Sequence, residues 1–269
     1  MKLNLCDMDR LNLTGSPLKA ISKKYMQEKK IVPGRECLFE FPHKITENNY
    51  IAICCGFMFG YGSKNDDHHI RKLSMIIHSE IDPDNDHCIK VTPICEMSDD
   101  SGHYMTSQGS DNSYVKVGVI ALPDSISHAD DDYIFEGLTG FDISYNDGDH
   151  HLQEISMFIS SVNSKDTPEG AYIQDASGHS GKGKVFSDKL NIPQELLSAY
   201  QGENPFETLV YLTGYKCRNN KGDTHIRQLG CDPTVYDSKY GYSVLKDKHG
   251  NHVTPPYSIK TGGILVYKD

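Results

Sequence analysis

Gly140 to Leu152 reads GFDISYNDGDHHL, and it lies without gaps over Gly214 to Ile226, GYKCRNNKGDTHI. Glycine, an aromatic residue, Asn, Gly, Asp, His and an aliphatic residue recur in register. The chain therefore repeats itself, and a repeat of this kind constrains the fold before any local propensity does. A third copy runs from Gly56 to Ile70, GFMFGYGSKNDDHHI, and differs by a two-residue loop insertion.

Downstream the copies continue together, as HIRKLSMII from His69, HLQEISMFI from His151 and HIRQL from His225. Each then reaches a second signature: DDSGH at Asp99 to His103, DASGH at Asp175 to His179, and a looser DKHGNH at Asp247 to His252. These end 34, 28 and 27 residues beyond the first histidine. Copies one and three share a closing strand as well, VKVGVI from Val115 and IKTGGI from Ile259.

The expected organisation is an N-terminal segment over 1–47 followed by β units over 48–124, 130–200 and 205–269, separated by HADDDY (128–133) and QGENP (201–205). Apolar residues alternate at Leu73, Met75 and Ile77 and again at Ile155, Met157 and Ile159, the period of a half-buried strand. Runs from Tyr50, near Ile89 to Ile94, and over Val115 to Leu122 add further strands. The fold class this predicts is mainly β: three tandem, repeat-related, small β-sandwich-like units, each of four to six short strands, with a short N-terminal helix. Units of roughly 65–75 residues are marginal alone, so they are expected to pack together or share one core.

Ser16 and Pro17 read as the N-cap and first residue of that helix. Leu18, Ile21 and Tyr25 form its apolar stripe beside Lys19, Lys23, Lys24, Lys29 and Lys30. A second short helix is expected over Pro193 to Tyr200.

Composition narrows the partners. Lys and Arg number 27 against 37 Asp and Glu, a formal charge of −10, which argues against nucleic acid because phosphate binding needs clustered cations. No apolar run approaches a membrane-spanning helix, so no transmembrane segment is expected, and the first residues lack a signal-peptide h-region. The chain is expected to be made in the cytoplasm, with leaderless or machine-mediated export compatible with that reading. Eight cysteines without a CxxC pair read as reduced thiols, and at least one of Cys54 and Cys55 is expected to be buried.

The repeated signatures supply the candidate site residues: Asp67, His69 and His103 in copy one, Asp149, His151 and His179 in copy two, and Asp223, His225 and His252 in copy three. Imidazole and carboxylate are common ligands of zinc and other divalent ions. A histidine starting an inward-facing row, oriented by a carboxylate two residues earlier, also ties a loop to a strand without metal, and this structural role is the favoured one. No cofactor is expected, with zinc or calcium as alternatives.

Several motifs fail on their own chemistry. GHSGKGKV (178–185) has Val185 where a phosphate loop needs Ser or Thr, so it reads as a glycine-rich turn. DPDNDH (82–87) has His87 and Pro93 where a calcium loop needs Gly and Glu, which leaves a solvated acidic loop. No nucleophile elbow occurs, and no catalytic residue is assigned.

The function this favours is a non-enzymatic recognition or assembly protein whose repeated modules bind glycan or protein surfaces or self-associate into a homo-oligomer, with multivalency as the gain from repetition. Tyr104, Tyr114, Tyr145, Tyr240, Tyr242 and Tyr257 are its candidate loop aromatics. The alternatives are a metal-dependent hydrolase with one functional copy of the Asp/His site, and a toxin or secreted effector that uses the β units for target binding.

Overall fold

A computed structural model describes residues 12–13, 16–17, 21–47, 49–62, 70–99, 101–102, 104–105, 113–123, 140–144, 154–158, 174–178, 206–218, 226–231, 235–236, 239–240, 243–247 and 257–267. The elements in order are β1 (Asn12–Leu13), β2 (Ser16–Pro17), β3 (Ile21–Ser22), a 3-10 turn (Lys23–Tyr25), β4 (Met26–Ile31), β5 (Cys37–Glu40) and β6 (Tyr50–Gly60). They continue with β7 (Ile70–Asp82), β8 (Asn85–Asp99), β9 (Tyr114–Ala121), β10 (Gly140–Ser144), β11 (Glu154–Phe158) and β12 (Gln174–Gly178). The last are β13 (Phe206–Arg218), β14 (Ile226–Cys231), β15 (Val235–Tyr236), β16 (Lys239–Tyr240), β17 (Ser243–Asp247) and β18 (Tyr257–Tyr267). The described protein is mainly β, as the alternating pattern predicts.

Two features differ from the expectation. Residues Ile21–Ser22 and Met26–Ile31 are strands around a single 3-10 turn, where the helix was expected to reach Tyr25 and beyond. Pairing explains it: all six residues of β4 lie opposite Val115–Ile120 of β9, and a strand ladder outweighs the helix propensity of a Lys- and Glu-rich stretch. The strands are also longer than the short ones predicted, β6 having 11 residues, β7 13 and β8 15. The expected helix over Pro193 to Tyr200 lies outside the described residues.

Three larger sheets carry the fold, in the orders β10-β7-β8-β5, β17-β14-β6-β9-β4 and β11-β13-β18-β12, with β3 adding in parallel to β18. Each of the three mixes strands from different predicted units.

The middle sheet is covered on both faces, which is why β6 reads as an unbroken apolar run, YIAICCGFMFG, instead of an alternating one. Ala52, Cys54, Phe57 and Phe59 enter the larger core, with Leu73, Met75 and Ile77 of β7 and Ile89, Val91 and Met97 of β8. Ile51, Ile53 and Cys55 enter a second core with Tyr25, Met26, Ile120, Leu122, Leu209 and Tyr211.

The switch from even to odd residues on the larger core's side has a visible cause. The β6–β9 register shifts between Cys54 and Gly56, and one extra residue in a strand turns everything after it to the opposite face. Without that bulge Phe57 and Phe59, both fully buried, would leave the larger core.

Candidate functional site

The second signature of copy one is a turn built by its own residues. Asp99 ends β8 with its side chain buried, and its Oδ1 accepts the backbone N–H of Ser101 at 2.9 Å. Gly102 follows at φ +81°, a left-handed backbone conformation that side-chain-bearing residues rarely adopt. The chain then folds back, Met105 N–H donating to the Met97 carbonyl at 2.8 Å and Tyr104 bridging Ser98. Asp, Ser and Gly at this spacing thus close a turn.

Register carries this turn to the first signature. Asp99 stands opposite Ile70, the residue that follows His69 in the chain, and Asp247, which ends β17, stands opposite Ile226, the residue that follows His225. Copy two differs, because Asp175 lies within β12 opposite Lys260 of β18. The nine candidate residues themselves, Asp67, His69, His103, Asp149, His151, His179, Asp223, His225 and His252, lie outside the described residues. Among the described residues no three His, Cys, Asp or Glu side chains are grouped to hold a metal ion.

The acidic DPDNDH loop is the β7–β8 hairpin turn, and the carboxylates of Asp82 and Asp86 have partners. The backbone N–H of Asp84 donates to Asp82 Oδ1 at 3.0 Å, and Lys90 Nζ lies 3.0 Å from the same oxygen. Lys44 Nζ lies 3.0 Å from Asp86 Oδ2. The Asp84 N–H first, and Lys90 second, hold the Asp82 carboxyl below the usual range, and Lys44 does the same for Asp86.

The thiols are sheltered. Cys54 and Cys55 are both fully buried, and burial pushes the Cys55 thiol far up, with Glu28 adding to it. Burial also raises the thiol of Cys95. In both, burial disfavours the thiolate.

Of the six candidate loop tyrosines, Tyr104 is 64% exposed on its turn. Tyr114 begins β9 under Lys30, whose Nζ sits 4.2 Å from the ring centroid. Tyr240 and Tyr257 belong to strands, and Tyr145 and Tyr242 lie outside the described residues.

One surface escaped the sequence reading. Ile76 on β7 and Ile94 on β8 are directly opposite each other on the outer face of their sheet, 55% and 57% exposed, with Leu38 of β5 on the same face. The residue opposite Ile76 on its other side is Gly140, which has no side chain to cover it. The signal was Ile76 itself, an apolar residue at the polar phase of the Leu73–Met75–Ile77 alternation.

No family model, curated protein or solved structure matches the chain. Among the described residues no helix is long and apolar enough to cross a membrane.

Proposed function

We propose that the protein acts by recognition or assembly, not by catalysis, offering a β framework to a protein surface, a glycan or further copies of the chain. The observation that carries the reading is the Ile76–Ile94 pair. Two large aliphatic side chains opposed on a sheet face are exposed to water at a cost of about 25 cal/mol for every Å² of apolar surface, and a partner that covers them removes it. The Lys72–Glu96 ion pair, 2.7 Å long on the same two strands, and the exposed His78 and Glu80 supply a polar rim of the sort that surrounds an apolar contact.

Sedimentation velocity across a concentration series, together with glycan and protein arrays, tests this on the wild-type and Ile94→Lys chains. Association or array binding that the substitution abolishes, with the melting temperature retained, supports the reading. Identical behaviour of the two chains in every assay, or hydrolytic turnover indifferent to the substitution, overturns it.

A further inference from the structure

We infer that the three copies of the repeat close into a ring, each pairing the strand after its histidine with the glycine-led strand of the next copy. The register of three separate strand pairs carries this. In the first seam β7 of copy one pairs antiparallel with β10 of copy two, Leu73 opposite Ile143 and Lys72 opposite Ser144. In the second, β11 of copy two pairs with β13 of copy three, Ile155 opposite Cys217 and Glu154 opposite Arg218. In the third, β14 of copy three pairs with β6 of copy one, Leu229 opposite Phe59 and Gln228 opposite Gly60.

These are the same positions of the repeat each time. Phe59, Ile143 and Cys217 stand three residues after Gly56, Gly140 and Gly214, while Leu73, Ile155 and Leu229 stand four residues after His69, His151 and His225. A slip of one residue in any seam would exchange the faces of a whole strand, so agreement of all three registers is a specific relationship and not a general property of adjacent strands. The order one to two, two to three and three to one is head-to-tail, and a head-to-tail interface that returns to its start generates a closed ring.

Bulges repeat along with the register in copies one and three. The pairing of β6 with β9 shifts between Cys54 and Gly56, and that of β13 with β18 between Leu212 and Gly214, with Gly56 opposite Lys116 and Gly214 opposite Lys260. The pairing of β7 with β8 shifts between Ile70 and Lys72, and that of β14 with β17 between Ile226 and Gln228. Among the described strands, none of β6, β10 and β13 pairs with the histidine-led strand of its own copy.

The arrangement assigns the first signature a place in the topology. Each D-x-H segment joins a strand of one sheet to a strand of the next: β6 to β7, β10 to β11, and β13 to β14. The inference stands on backbone pairing and is independent of what the chain binds.

Backbone NOEs in the isotope-labelled, full-length wild-type protein test it. Cross-strand contacts between Leu73 and Ile143, Ile155 and Cys217, and Leu229 and Phe59 are expected. Contacts within a copy instead, between Leu73 and Phe59, Ile155 and Ile143, and Leu229 and Cys217, overturn the ring. Hydrogen exchange on Ile155→Pro gives a second reading: amide protection is lost in the Gly214–Arg218 end of β13 that faces β11, with Gly140–Ser144 retained, whereas the reverse order contradicts the seam. Should that variant fail to fold, the wild-type NOEs decide alone.

Discussion

Gly230 on β14 stands opposite Met58 on β6, and the methyl group it lacks would collide with the carbonyl oxygen of Phe57 and lie 2.8 Å from the Met58 Cα. Both obstacles are backbone, which cannot swing aside as a side-chain end can. Gly230→Ala must therefore push the strands of this seam apart, and overpacking of this kind costs about 3 kcal/mol. Urea denaturation followed by circular dichroism measures it. A midpoint unchanged from wild type would show that the two strands do not approach so closely.

Asp99 gives a prediction separating shape from charge. Its Oδ1 accepts the N–H of the exposed Ser101, so Asp99→Ala gives that donor to water and is expected to cost about 0.5–1.5 kcal/mol. Asp99→Asn keeps an acceptor oxygen and should recover most of that loss. If the two substitutions lower the melting temperature equally, the turn does not depend on that hydrogen bond.

The β7–β8 hairpin sets a pH dependence. Asp82 and Asp86 have folded pKa values below their ordinary ones, through the Asp84 N–H and then Lys90 for the first and Lys44 for the second. A carboxyl depressed by folding contributes stability above its unfolded pKa of about 4, and the contribution disappears as pH falls through the lower, folded value. Melting temperature should thus fall with acid below about pH 4, and Asp82→Asn should flatten that slope. Parallel curves for the wild type and the variant would refute the assignment.

How far the sequence revealed this structure depended on whether its signals were local. Leu73, Met75 and Ile77 alternate in the sequence and are 1%, 0% and 4% exposed in the fold, because a strand's period acts within a few residues. Met26 to Ile31 misled because its charged residues suit a helix, and the cause of its extended state, β9, lies about ninety residues away. The seams left no local mark at all. A strand that pairs with the next copy has the same composition as one that pairs within its own, so only register separates the two. Of the site, the D-S-G turn was legible as a turn, since Asp, Ser and Gly act there on their nearest neighbours. Ile76 breaks the alternation of its strand, but the exposure of the Ile76–Ile94 pair was not legible, because exposure follows from which sheet face is left uncovered.

The cysteines supply a last prediction. A thiol reacts as its thiolate, and burial disfavours the charged form, so Cys54 and Cys55, both fully buried, are expected to resist maleimide and disulfide reagents in the native state. Among the described cysteines, Cys37, only partly buried, should label before Cys54 and Cys55. Site-resolved mass spectrometry after a short native pulse and after denaturation distinguishes them, with Cys54 and Cys55 labelled only in the second sample. This also probes the middle sheet, since Cys54 faces the larger core and Cys55 the second one. Labelling of Cys55 alone under native conditions would mean that Leu209 and Tyr211 of β13 leave that face of β6, whereas protection of both shows that both layers stay closed over it.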